Sequence, residues 1–531
     1  MVGTVAMLVA CAALSASAAP PHDPGPVLRI PLNPMGFQTI LPDFLTSGNS
    51  MVTVHFVDDG HLLVTFGLRG LMKREVNDPV DDDDRMVGAF LVELPSGKVV
   101  ARTEWRTHDR GQYLWSLGHG RFLLRIRDRL TMLEPMAGAA SGDAFHEYPF
   151  LQVERHILAV LVSAGDDLLT IETADRAKKD SKRPNFVGDD PPENSAPVQI
   201  NFYRLTSSGP GVDGLAVASA GAVRARVALA LPLTTRGFLE TLEGGRDSWM
   251  FNFDAHAGKV SELAQFDSTC YPRITFVSHS EFVAFGCRGS ADKQDIAGFN
   301  LKGDAMWQQN FFDVQSEPAF AFAPAVGRFA LERTIVSTMD SMAAVASGEV
   351  NSQEVRVYQT YNGKQLFRTD CTPAVKAGQN FALSPDGLRL AVLREAMVSH
   401  KATADYDAYT AKEAAVEIYA LPALNGKDEA AVKEAQGLAP EDTGARIDLA
   451  VQRVLGQARP AASSGSAGSG SAGGSSAAAL PGVGLGAGGD APAPVPAADS
   501  ASASGDAVPT GPRTPPTLYG PGETPQGKSP Q

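Results

Sequence analysis

Between residues 27 and 424 the chain repeats one unit: a turn rich in Gly, Asp or Ser, then a short run of apolar residues. Asp58-Asp59-Gly60 leads into Leu62-Leu63-Val64-Thr65-Phe66, and Gly118-His119-Gly120 into Phe122-Leu123-Leu124-Arg125-Ile126. Gly165-Asp166-Asp167 precedes Leu168, Arg236-Gly237 precedes Phe238, and Ser278-His279-Ser280 precedes Phe282. Val326-Gly327-Arg328 precedes Phe329, and Ser384-Pro385-Asp386-Gly387 precedes Leu390. Apolar runs of this length, bounded by turn residues, read as β-strands. Their starts lie 60, 46, 70, 44, 47 and 61 residues apart. A period of that size, made of strands with almost no helical patterning, predicts an all-β fold: a single β-propeller with one blade per unit. Taking each run as the leading strand of a blade gives seven blades; six and eight stay open, because the third and fourth units are poorly delimited.

A second strand class ends in a tight Gly turn and a further strand. Residues 89–94 before Pro95-Ser96-Gly97-Lys98, 249–253 before His256-Ala257-Gly258-Lys259, and 298–301 before Lys302-Gly303-Asp304 are examples. Residues 355–359 before Tyr361-Asn362-Gly363-Lys364 and 416–421 before Asn425-Gly426-Lys427 repeat the pattern. Glycine supplies the positive φ a tight hairpin needs, so these are expected to be third-to-fourth strand turns. Ser384-Pro385-Asp386-Gly387-Leu388-Arg389-Leu390-Ala391 resembles the repeat of TolB-type, WD40-like propellers. The segment from Gly298 to Trp307 is similar to a degenerate quinoprotein-type repeat with its docking tryptophan. The resemblance implies a fold and not an activity, because propellers carry enzymes, binders and scaffolds alike. Trp105, Trp115, Trp249 and Trp307 are expected to be packing anchors between blades.

After Asn425-Gly426-Lys427 the sequence turns helix-like, so the last blade lacks a fourth strand, and Val27-Leu28-Arg29-Ile30-Pro31-Leu32 is the segment that would supply it and close the ring. Ile447, Ala450, Val451, Val454 and Leu455 follow helical spacing and predict an amphipathic helix packing on the propeller. The expected organisation is therefore a signal peptide over 1–19, the propeller over 27–424, a helical segment over 425–455, and a tail over 456–531. That tail is mostly Ala, Gly, Ser and Pro, a composition too poor in apolar bulk to offset ordering the backbone, and is expected to be disordered.

Residues 1–19 are apolar and small with no charged side chain, ending in Ala16-Ser17-Ala18, which reads as a secretory signal with an A-x-A cleavage site although the basic n-region is missing. Leu8-Val9-Ala10-Cys11 offers a competing lipobox reading, a lipid anchor at Cys11, which the apolar residues 12–19 disfavour. No later stretch is long and apolar enough to cross a membrane as a helix. The expected location is thus periplasmic or secreted. Cys270 and Cys287 flank a hairpin whose turn lies near Ser278 to Glu281, about equidistant from its tip, and are expected to form a disulfide; two unrelated buried thiols are the alternative. Cys371 then stays unpaired, as a small core residue.

The net charge of −14 argues against nucleic-acid or anionic-membrane partners, which are bound mainly by Lys and Arg. Gly522 to Ser529 matches the phosphate-loop expression and Gly484, Gly486 and Gly489 match a dinucleotide fingerprint, but both sit in the tail without the strand and helix that such sites need. Four second-to-third strand connections are long, residues 67–88, 173–197, 335–353 and 394–414, and in a propeller they share one face. Long connections tend to be functional, so this rim is the expected interaction surface, with tolerated insertions as the plainer account. Its candidate ligand-facing residues are Asp81, Asp82, Asp83 and Asp84 in the first segment, beside Asp78, and Lys178, Lys179 and Arg183, beside Lys182, in the second. The acidic run raises a calcium site, but consecutive Asp side chains point in different directions and the EF-hand spacing is absent, so a solvated loop is favoured and no cofactor is expected. His61, His119, His256 and His279 lie in turns of separate blades, where a metal role is disfavoured.

The resulting expectation is an exported, non-catalytic binding or protein-interaction module, its partner a protein or other extracellular ligand. The principal alternative is a periplasmic propeller enzyme, a quinone-dependent dehydrogenase or a hydrolase or lyase, weakened by the lack of an adjacent cysteine pair. A third is a wall-anchored structural protein with the tail as stalk.

Overall fold

The computed structural model describes residues 25–38, 52–68, 85–107, 112–126, 129–137, 144–152, 155–175, 198–208, 214–226, 231–256, 260–311, 318–336, 350–371, 379–402 and 408–457. They form seven four-stranded antiparallel sheets, the blades of a β-propeller. Blade 1 comprises β2 (Thr53–Asp58), β3 (His61–Leu68), β4 (Arg85–Glu93) and β5 (Lys98–Thr107). Blade 2 holds β6 (Leu114–Ser116), β7 (Phe122–Ile126), β8 (Arg129–Glu134) and β9 (His146–Gln152). In blade 3 are β10 (His156–Val162), β11 (Leu168–Ala174), β12 (Val198–Ser207) and β13 (Leu215–Ala225), and in blade 4 β14 (Leu233–Thr234), β15 (Gly237–Gly245), β16 (Ser248–Asp254) and β17 (Val260–Asp267). Blade 5 is β18 (Arg273–Phe276), β19 (Glu281–Arg288), β20 (Ser290–Asn300) and β21 (Ala305–Phe311), and blade 6 is β22 (Ala319–Ala323), β23 (Arg328–Val336), β24 (Val350–Gln359) and β25 (Gln365–Cys371). Blade 7 takes β26 (Phe381–Leu383), β27 (Arg389–His400) and β28 (Tyr409–Ala420) from the end of the ring and β1 (Leu28–Pro31) from its start. That last pairing is antiparallel, Leu28 opposite Ile418 and Ile30 opposite Val416, and it closes the ring as the sequence suggests.

The recurrent apolar runs prove to be the second strand of each blade, not the leading one. The reason is burial. Second strands are covered on both faces, so Leu62 to Phe66 of β3 are all buried. A strand buried on both faces reads as a continuous apolar run. Several leading strands are short, three residues in β6 and β26 and two in β14, while outer strands such as β5 alternate exposed and half-buried positions. Two further expectations change. Asn425-Gly426-Lys427 is no hairpin turn: Asn425 caps helix α1 (Gly426–Leu438), its side chain accepting from the Lys427 and Asp428 amides at 2.9 and 3.2 Å. Nor are residues 394–414 a loop, because β27 and β28 stay paired out to His400 opposite Tyr409. That ribbon is half-buried or exposed and carries mixed polar residues, so it lacks the apolar run by which a strand is recognised.

Blades dock through specific contacts. The Trp307 indole of blade 5 lies near-parallel to Phe329 and Tyr358 of blade 6 and donates from Nε1 to the Thr360 carbonyl at 2.6 Å. It is pressed so closely on Gly298 and on Gly363, whose φ is +62°, that a Cβ at either would come within 2.3 or 2.4 Å of the ring. Buried Arg328 joins blade 6 to blade 7, donating to Gln359 Oε1 at 3.1 Å and to the carbonyls of Gly387 and Pro422 at 2.6 and 2.7 Å. Between blades 3 and 4 a helix does this work. Ile447 and Val451 of α2 (Ile447–Gln457) are fully buried with Ile200, Phe202 and Val223 of blade 3, and Leu231 and Leu233 of blade 4 pack on the same cluster. Arg204 holds the segment before α2, donating to Asp442 at 3.1 Å and to the Ala445 carbonyl at 2.6 Å.

Cys270 and Cys287 are disulfide-bonded, with Cα atoms 5.4 Å apart, and Cys371 is a buried free thiol. No helix among the described residues is long and apolar enough to cross a membrane. The signal segment with Cys11, the connections containing Asp78, Asp81 to Asp84, Lys178, Lys179, Lys182 and Arg183, and the Gly-rich motifs of the tail lie outside the described residues.

Candidate functional site

The central channel holds a cavity of about 1130 Å³. It is walled by leading strands β2, β6, β10, β22 and β26, because a leading strand has no neighbour on its inner edge. The middle of the wall is apolar: Ala319, Phe320, Ala321 and Phe322 from blade 6, Phe381, Ala382 and Leu383 from blade 7, and Val162 and Ala164 from blade 3. Phe320 and Phe322 stack at 6.0 Å. Two ring nitrogens bordering the cavity have no hydrogen-bond partner among the described residues, Nε2 of His55 and Nε1 of Trp115. Burial lowers the His55 pKa to about 4, so its ring is neutral at physiological pH.

Turns between first and second strands form one mouth. Here Asp58, Asp59, Ser116, His119, Glu134, Ser163 and Asp166 border the cavity. Asp166 stands in the turn between β10 and β11 with φ +55°, a conformation Asp tolerates better than most residues. Its carboxylate lies against Gly118 of blade 2, where a Cβ would come within 2.5 Å of Oδ2. It is half-buried and accepts no hydrogen bond from a described side chain or amide. Desolvation, then the neighbouring Asp167, raise its pKa to about 7, with Arg121 opposing.

Asp167 is occupied differently. Its Oδ1 accepts from Ser163 Oγ at 2.7 Å and its Oδ2 from Thr235 Oγ1 of blade 4 at 2.6 Å. His279 of blade 5 brings Nδ1 to 3.4 Å of the same Oδ2, and its ring packs on Gly165. The turns of blades 3, 4 and 5 therefore meet at Asp167. Beside them buried Arg121 donates to Ser207 at 2.6 Å and faces the charges of Glu134 and Asp166. Asp167 is thus a structural hub, whereas Asp166 borders the channel without a hydrogen-bonding partner among the described residues.

The turn histidines have separate environments. His61 sits 2.9 Å from Asp58, buried His256 bonds the Thr234 carbonyl through Nε2 at 2.9 Å, and His119 is exposed at the mouth. No group of three or more His, Cys, Asp or Glu among the described residues could hold a metal ion. Trp105 and Trp115 are buried, and Trp249 packs edge-on to Tyr271 at 4.9 Å, so the tryptophans do pack the blades. Trp115 also borders the channel. The sequence gives Gly165-Asp166-Asp167 only as one turn of seven; nothing local separates Asp166 from the rest.

No family model matches the chain, and no curated protein is similar to it. Among solved structures it is similar to Pyrococcus horikoshii acylaminoacyl peptidase, at 8% identity and TM-score 0.39 over 72% of this chain and 52% of that one. An oligogalacturonate lyase in complex with manganese matches at 10% identity and TM-score 0.36 over 70% of this chain and 96% of its own. Kuenenia stuttgartiensis hydrazine synthase gives 11% identity and TM-score 0.27 over 54% and 76%. The chain thus spans about half the length of the peptidase, 52%. At such identity and fit these likenesses carry no argument about what the chain does.

Proposed function

We propose that the chain is an exported, non-catalytic binding module of TolB-like type that holds its ligand in the central channel. One observation carries the reading: a cavity of about 1130 Å³ with apolar walls and a few polar groups that lack protein partners. Ligand sites are concave and mostly apolar, with a small number of placed polar atoms. The disulfide is compatible with an oxidising compartment, which is what supports export. The segments with Asp81, Asp82, Asp83, Asp84 and Lys178, Lys179, Arg183 belong to this reading as the surface proposed for a protein partner.

The test is a channel block. A neutral solvatochromic dye is expected to saturate a single site in the wild type, and Ala321→Phe is expected to abolish that binding while the protein keeps its cooperative melt. Undiminished binding to a folded Ala321→Phe variant overturns the reading. A hydrolytic alternative has one observation in its favour: Asp166, with a pKa near 7, stands in the range of a general acid. Turnover of peptides or acidic polysaccharides that Asp166→Asn abolishes would favour it.

A further inference from the structure

We infer that the channel selects a ligand with an apolar body and one protonated amine, seated with its ammonium on the Asp166 carboxylate. The inference rests on the channel reading above and adds the chemistry of the ligand.

The placement of Asp166 carries it. Ionised carboxylates enclosed by protein are normally paired, because leaving one without a donor costs more than the net gain of a typical hydrogen bond. Asp167, one residue on, follows that rule with hydroxyl donors at 2.7 and 2.6 Å, and Glu354 of blade 6 follows it with Arg333 at 3.0 Å. Asp166 borders the cavity and accepts from no described group. Gly118 of blade 2 packs its bare backbone on one side of the carboxylate, so a ligand's donor would reach Asp166 from the cavity it borders.

The charge at that mouth sets the sign. Asp58, Asp59, Glu134 and Asp166 border the cavity there. The basic groups facing Asp166 are Arg121, held by Ser207 and facing Glu134 as well, and exposed His119; behind it lie Asp167 and His279. An anion would meet a surplus of carboxylates, and a neutral molecule would leave Asp166 unpaired. An ammonium supplies charge and donors together. Beyond the mouth, Phe320 and Phe322 offer the apolar contact that a hydrocarbon or aromatic body needs. Because the pKa of Asp166 is raised by burial, binding should weaken as the carboxyl takes up its proton.

Three probes of one shape test this on the full chain: phenylbutylamine, phenylbutanol and phenylbutyrate, followed by the fluorescence of Trp115, with Trp115→Phe as the signal control. The amine is expected to bind at least about tenfold more tightly than the alcohol, and the acid more weakly than both. Asp166→Asn keeps the backbone preference of the turn, and is expected to erase the difference between amine and alcohol while leaving alcohol binding unchanged. In the wild type, amine affinity is expected to fall about tenfold or more between about pH 8 and about pH 5, with the alcohol unaffected. Equal binding of amine and alcohol, untouched by Asp166→Asn, overturns the inference and leaves the channel reading standing. If no probe perturbs Trp115 and Ala321→Phe changes nothing, the channel reading falls and takes the inference with it.

Discussion

The Asp448 carboxylate of α2 is seated against Gly221 of β13 so closely that a Cβ there would come within 2.6 Å of its Cγ. Gly221 has φ +130° and lies where the pairing of β12 with β13 slips by a residue, and Asp448 accepts the Ala222 amide at that slip. A β-bulge leaves backbone donors unpaired. Here a helix from beyond the last blade satisfies one of them, while Arg446 bonds the same carboxylate at 3.1 Å. Gly221→Ala is expected to destabilise the fold by about 1–3 kcal/mol through strain and displacement of Asp448. Ile447→Ala, at a fully buried position between blades 3 and 4, is expected to cost about 2–5 kcal/mol. Urea unfolding measures both. A change below about 0.5 kcal/mol in each would show that α2 does not support the ring.

Ring closure by β1 has a comparable signature. Ile30 and Leu32 are fully buried in the core shared by blades 7 and 1. Removing residues 27–32 exposes that core and leaves β28 as an open edge, and is expected to lower the melting temperature by roughly 5 °C or more. An unchanged melt would refute the closure.

Cysteine chemistry gives a third prediction. The bond from Cys270 to Cys287, 17 residues apart in sequence, is expected to contribute about 3 kcal/mol in the chain-entropy model, lost in the double Ser variant. Mass spectrometry of the non-reduced, unfolded protein should find Cys270 and Cys287 linked. Cys371 is buried in the core, and burial pushes its thiol pKa well up. It should resist alkylation in the native state and react fully once unfolded; ready labelling of native protein would contradict its position.

These features differ in how far the sequence announces them. Leu62 to Phe66 is conspicuous because a strand covered on both faces needs apolar side chains at every position. The leading strand Leu114–Ser116 is three residues long and carries no pattern, which is why the second strands pass for first ones. The cysteine pair is legible because its hairpin is local. Asp166 is not, since Gly118 and Arg121 beside it come from blade 2, and Thr235 and His279, which hold the adjacent Asp167, come from blades 4 and 5, so the setting exists only when the ring forms. The acidic run at Asp81 to Asp84 is the louder signal in sequence, yet it lies outside the described residues.

Two carboxyls give a pH prediction. Burial raises both Asp166 and Glu281 to about 7 from ordinary values near 4. Between those values the folded protein binds more protons than the unfolded chain, so stability from these groups is full below about pH 4, declines as pH rises, and levels off above about pH 7. Asp166→Asn removes one of the two penalties. It is expected to raise the melting temperature by a few degrees at about pH 7.5 and little at about pH 4. A variant less stable than wild type at pH 7.5 would mean that Asp166 holds the turn together instead of straining it.

Because Leu28 pairs with Ile418, the blade emerging last from the ribosome or a translocation pore cannot be completed from its own sequence. Blades 1 to 6 each contain all four of their strands in order and can assemble as they appear. Blade 7 must wait for a strand made first, and until it docks, the edge of β28 stays open and Ile30 and Leu32 stay out of the core they fill in the closed ring. Contacts so distant along the chain form slowly, and an unpaired edge invites pairing with other chains. The interval between synthesis of Ala420 and capture of Leu28 is therefore when this protein is most exposed to aggregation, and when a chaperone would have most effect.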